Sequence, residues 1–117
     1  MQYALLVYET RADLEVRRDH EAHAPVAAAY AAYTEALVEA GVLRGGEALE
    51  LPEIATTLVA QKGGTPLVQD GPFADTKEQL GGFFIIEADN LDEALEWAAR
   101  CPAASRGKVE VRPLVTR

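Results

Sequence analysis

Cysteine is almost missing from this chain of 117 residues. Cys101 stands alone, so no disulfide can close within the chain, and a reducing, cytoplasmic setting is expected. Its place before Pro102 suits a small buried filler better than a nucleophile. Basic residues are the minority, 11 against 19 acidic ones, for a net charge of −8. A surface of that sign repels phosphate backbones and argues against direct nucleic-acid binding by the chain alone. No apolar run approaches the roughly 18 residues that span a bilayer. The opening "MQYALLVYE" lacks the basic flank of a signal peptide and reads as a strand, so neither membrane insertion nor export is expected. Only two histidines occur, His20 and His23. With Asp19 or Glu21 they offer ligand chemistry at helical spacing, but no third, distant ligand is identifiable and no metal is expected. Gly81-Gly82 precede a strand and not a helix, so they are no phosphate cradle, and no cofactor is expected.

What is present is an apolar half, 49% of the residues, enough for one domain over residues 1–117 with one core. Residues 3–8 read as a central strand. The charged stretch 11–23 fits a short helix or an ordered flap. From Pro25, suited to a first helical turn, an apolar stripe runs through Val26, Ala29, Tyr30, Tyr33, Leu37 and Ala40 to a stop at Gly41. Residues 42–51 resume extended structure, with Gly45-Gly46 as a bulge or close backbone approach. "ATTLVAQ" and "TPLVQD" flank Lys62-Gly63-Gly64 as a hairpin. Phe83–Glu87 is a second central strand. Asn90 with Glu93 opens a helix whose buried face is expected to be Leu91, Ala94, Leu95 and Ala98. "KVEVRPLV" closes the chain as a strand.

This order predicts an α+β, ferredoxin-like split βαβ sheet with an added hairpin and both helices on one face. Yet the strands at 3–8 and 83–87 are apolar on both sides. A second copy laid sheet against sheet would cover the other face, which predicts a homodimer of the dimeric α/β-barrel type.

Three stretches together resemble a known family. "DGPFADTKEQLGGFFIIEA" resembles the signature of the DGPF-domain branch of the YCII-related superfamily. "LDEALEWAARCPAA" with "GKVEVRPL" resembles that family's second helix and last strand, and "AAYTEALVEAGVLRGGEAL" its first helix and second strand. The resemblance covers nearly the whole chain. It implies the same fold and dimeric barrel. It also implies, for some relatives, small lyases or dehydrochlorinases that use a His–Asp pair in the barrel cleft. For others it implies a regulatory partnership with an extracytoplasmic-function sigma factor. The shorter YCII pattern carries its histidine inside the first helix. The corresponding stretch here, "AAAYAA", has none, so that role does not transfer.

The candidate site residues gather around "VQDGPFADTKEQLGG". Asp70, at a strand end beside Phe73, is a candidate general base, although Asp-Gly-Pro is also ordinary turn chemistry. His20 or His23 could fold over the cleft and pair with Asp70 in place of the missing helix histidine. Lys77 offers a cation for an acidic ligand and Glu78 a second carboxylate, or the two form an exposed pair of little energetic weight. Phe73 is expected to be buried and to pin the loop, and Tyr30 to line the cleft or the core. The catalytic candidates are thus Asp70, His20 and His23, and the ligand-binding ones Phe73, Lys77, Glu78 and Tyr30. The expected activity is binding or transforming a small, weakly polar or anionic organic molecule in a cleft between the sheet and the first helix. It is lyase- or isomerase-like if catalytic. The alternative is a non-catalytic regulatory protein acting through protein contacts.

Overall fold

The apolar run Tyr3-Ala4-Leu5-Leu6-Val7 makes a strand whose two faces are buried to different degrees. In the computed structural model, which describes residues 1–74 and 76–116, Tyr3, Leu5 and Val7 are buried while Ala4, Leu6 and Tyr8 are half-buried. This strand, β1 (Gln2–Glu9), lies inside a four-stranded sheet. The spatial order is β2 (Leu43–Ala48), β5 (Gln79–Glu87), β1, β6 (Lys108–Pro113), and every pairing is antiparallel. Counting these four strands alone in chain order, the sequence across the sheet is 2-3-1-4, the arrangement of a ferredoxin-like split βαβ. Helices α2 (His20–Glu39) and α3 (Leu91–Arg100) cover one face, where Tyr33, Leu37, Ala94 and Ala98 join Tyr3, Leu5, Val7 and Ile86 in one core. The Tyr33 hydroxyl donates to the Trp97 carbonyl at 2.7 Å and its ring meets Phe84 edge-on, so both its polar and apolar parts are satisfied. Among the described residues no helix is long and apolar enough to cross a membrane.

The helical region begins earlier than Pro25 suggests. Thr10 caps a short helix, α1 (Arg11–Arg18). Its hydroxyl accepts from the Asp13 N–H at 3.1 Å while the Asp13 carboxylate accepts from the Thr10 N–H at 3.0 Å, a reciprocal capping box. Asp19 then caps α2 by accepting from the N–H groups of Glu21 and Ala22. Two capped starts outweigh the one backbone bond, to the Glu21 carbonyl, that Pro25 removes from the second turn. At the other end Gly41, with φ of 72°, stops α2 as its sequence position implies. On α3 only the alanines are buried. Leu91 and Leu95 are 48% and 46% exposed, because Ala94 and Ala98 let the helix approach the sheet closely and leave the leucines at its rim.

The expected hairpin forms from β3 (Thr56–Val59) and β4 (Leu67–Asp70), but as a two-stranded sheet of its own. It projects as an arm. The radius of gyration is 16.1 Å, against about 13 Å for a compact domain of this length. Two-sided burial of the central strands is realised on one face within the chain. On the other, Leu6 stands beside Phe83 and Ala4 beside Ile85, all half-buried with no helix over them.

Candidate functional site

A cleft of about 420 Å³ opens between α2 and the β2–β5 side of the sheet. Val7, Val26, Leu43 and Phe84 give it apolar walls, and its polar side chains are Glu9, Arg17, His23, Tyr30, Thr34 and Glu47. The end of β1 delivers Glu9 and the last turn of α1 delivers Arg17. The two are joined by Arg17 Nη1 donating to Glu9 Oε1 at 2.6 Å, while Arg17 Nη2 donates to the Leu49 carbonyl at 2.5 Å. Their side chains are 13% and 18% exposed. Burial raises the Glu9 carboxyl above its ordinary value of 4.5, against the pull of the Arg17 guanidinium, and the nearby Asp13 charge pushes the same way as burial.

His23 lies in the first turns of α2. Its Nδ1 is buried and has no hydrogen-bond partner. A buried imidazole nitrogen without a partner is uncommon in folded proteins, which singles out His23 among the residues lining the cleft. Tyr30 comes seven residues later, on the same side of the helix. Burial holds its phenol well above the ordinary range, and the adjoining Cys101 thiol adds to the effect, so Tyr30 stays a protonated donor. The Cys101 thiol is itself pushed up by burial and is no thiolate nucleophile.

Gly81-Gly82 make this geometry fit. A Cβ at Gly81 would overlap the Glu9 carboxylate, and one at Gly82 would stand 2.9 Å from the Glu47 carbonyl of β2. The expected close backbone approach is therefore present, next to a bulge between Val7 and Tyr8. A second bulge follows Leu43, where Gly46 adopts φ of 152°. Gly81→Ala is expected to lower stability by about 1–3 kcal/mol through overpacking and to displace the Glu9 carboxylate. Urea melts give the first effect, and an unchanged midpoint would contradict it.

Of the seven residues singled out from sequence, the structure brings His23 and Tyr30 together in this cleft. His20 is exposed on the first turn of α2. Asp70, at the exposed end of β4, borders a separate shallow depression with Arg11, Arg18 and Lys77. Glu78 pairs with Lys108 of β6 at 2.6 Å. Phe73 is 86% exposed, which overturns the expectation that it is buried and pins its loop. Polar contacts fix the loop instead: Gly71 N–H to the Ala55 carbonyl at 2.6 Å, Thr57 hydroxyl to the Gly71 carbonyl at 2.8 Å, and Gln79 amide to the Ala74 carbonyl at 2.9 Å. Gly71, with φ of 93°, directs the chain into that turn. Asp75, inside the same motif, lies outside the described residues. Sequence reasoning missed Glu9 and Arg17. The available signal was a carboxylate ending an otherwise apolar central strand.

The YCII-related domain family matches the chain over residues 1–116. An uncharacterised protein of Rhizobium meliloti (strain 1021) is 48% identical over 79 residues, 66% of this chain and 63% of that protein, so the chain spans less than two thirds of its length. The fold is similar to that of the 5-chloro-2-hydroxyhydroquinone dehydrochlorinase of Burkholderia phenoliruptrix AC1100, solved in complex with 2,5-dihydroxybenzoquinone. The TM-score is 0.54 over 98% of this chain and 94% of that one, with 23% sequence identity. At that identity the likeness is one of fold. With the family matched over nearly its full length, the chain belongs to the YCII-related domain family.

Proposed function

We propose that the chain binds a small, weakly acidic organic molecule in the cleft beneath α2 and transforms it by acid–base chemistry of the lyase or isomerase kind. The observation that carries this is the convergence of a desolvated carboxylate, a half-buried imidazole and a protonated phenol on one apolar-walled cleft. Glu9 is the base: it removes a proton from a carbon or hydroxyl next to a carbonyl. Tyr30 and His23 face the oxygen on which negative charge then develops. Where the neighbouring carbon bears a leaving group, that group departs with its bonding electrons as the new double bond forms. Arg17 is a positioning residue that aims the Glu9 carboxylate. Residues 1–117 act as one domain. We propose also that it works as a homodimer of the dimeric α/β-barrel type, on the ground that Ala4, Leu6, Phe83 and Ile85 form an apolar sheet face without a helix over it.

The dihydroxylated quinone held by the Burkholderia enzyme gives a chemical class with which to begin. Titration calorimetry against hydroxyquinones, phenols and small enolisable acids is expected to find a ligand. Tyr30→Phe should weaken it by roughly 2- to 10-fold, the worth of one hydrogen bond, and Lys77→Ala should leave it unchanged. Binding indifferent to Tyr30→Phe and His23→Ala, yet lost in Asp70→Asn or Lys77→Ala, would move the site to the loop and sink this reading.

A further inference from the structure

The arm is the part of the fold that the cleft leaves unused. Between residues 49 and 80 no described residue is buried. The same segment holds eight of the thirteen exposed large apolar side chains among the described residues, including Leu58 at 62%, Val68 at 58% and Phe73 at 86%. An isolated two-stranded hairpin is marginal in water, and β3–β4 pairs with no other strand. The arm therefore needs a cover from outside its own chain. Its root shows where that cover continues. Leu80 is exposed and stands opposite Tyr8, and the pairs Leu6–Phe83 and Ala4–Ile85 extend the apolar surface across the sheet face that carries no helix. The Glu78–Lys108 pair ties the loop beside it to β6.

We propose that the β3–β4 arm is an interchain clasp: the arm of one copy closes on a second copy of this chain, with Phe73 as its anchor. The inference rests on the homodimer reading given above and goes beyond it by naming the segment that holds the two copies together. Area points to a second copy. Leu58 and Val68, paired on one face of the hairpin, together with Phe73 offer on the order of 300 Å², over a third of the ~800 Å² each partner gives to a stable interface. The sheet face joined to the arm through Leu80 supplies the remainder. A flat face and a projecting arm on one molecule are also self-complementary about a two-fold axis, each face receiving the other copy's arm.

The test is sedimentation equilibrium from nanomolar to high micromolar protein on the wild type, Phe73→Asp, the double variant Val68→Asp/Phe73→Asp, and Val38→Asp on the outer side of α2 as control. Each replaced side chain is exposed within the chain, so the monomer fold is not at risk, and circular dichroism checks that. The wild type is expected to be dimeric, the arm variants to dimerise roughly a hundred-fold more weakly, as for an interface hot spot, and the control to match the wild type. Amide exchange of β3 and β4 is expected to slow only at concentrations where the dimer forms. A wild type that stays monomeric throughout overturns the homodimer reading and the clasp with it. A wild-type dimer whose affinity the arm substitutions do not move overturns the clasp alone. So do arm amides equally protected in monomer and dimer, or protected only when a different protein is added.

Discussion

Truncating Leu37 to alanine is expected to lower the free energy of unfolding by about 2–5 kcal/mol, the range for removing a fully buried leucine and leaving part of the cavity unfilled. Leu37, Leu5 and Ile86 are the largest side chains with no meaningful exposure, and Leu37 joins α2 to the sheet in the one core cluster. Much of the remaining buried set is small: Ala88, Ala94, Ala98, Cys101 and Ala103. Alanines cannot extend into a hole, so little collapse is available to soften the loss. Against a total stability of roughly 5–15 kcal/mol, the effect is a large share of the margin that keeps the chain folded. Leu95→Ala on α3 is the internal contrast. Its side chain is 46% exposed, and a change of about 0.5 kcal/mol or less is expected there. Urea melts of the two variants compare them directly. A Leu37→Ala midpoint as near the wild type as that of Leu95→Ala would mean that the core is assigned wrongly.

These residues also show how much of the molecule its sequence discloses. The continuous apolar run Tyr3–Tyr8, the Gly41 stop and the Asn90 cap are local signals, and each produces the element it implies, although only one face of that strand is buried within the chain. The start of α2 was masked because a proline that suits a first turn lies inside a helix already nucleated by the Asp19 cap. A helical stripe of Leu91, Ala94, Leu95 and Ala98 names a face but not its centre, and close packing chose the small residues. Phe73 illustrates a different limit: an aromatic ring in a turn implies that something covers it, not that its own chain does. Of the residues that line the candidate cleft, the sequence pointed to Tyr30 and His23. Glu9 and Arg17 meet where Gly81 bulges out of β5 opposite Val7 and Tyr8 and where α1 turns back over the end of β1, and neither feature has a periodic signature. The most conspicuous motif, "DGPF", lies away from the cleft, and of the two glycines that end its segment Gly81 is the one set against Glu9.

Glu9→Gln is expected to abolish most of the chemistry while preserving the fold. The amide oxygen can still accept from Arg17, so the positioning contact survives, but the group no longer takes a proton. For a ligand that the wild type turns over, loss of the general base should reduce the rate by about 10²–10⁴-fold with affinity little changed. The pH dependence provides an independent check. Burial raises the Glu9 carboxyl above its ordinary value, so wild-type turnover should fall as pH drops through that raised value, and the residual turnover of the variant should lack this limb. Stability runs the other way. A carboxyl whose folded value is raised binds its proton more tightly in the folded state, and the stabilisation this gives is fully present below the unfolded value. It is lost as pH rises through the folded one. Glutamine does not titrate, so the difference in melting temperature between variant and wild type should move in the variant's favour from acid to neutral pH. If turnover survives Glu9→Gln with its acid limb intact and is lost instead in Asp70→Asn, the proton acceptor belongs to the loop and not to the cleft.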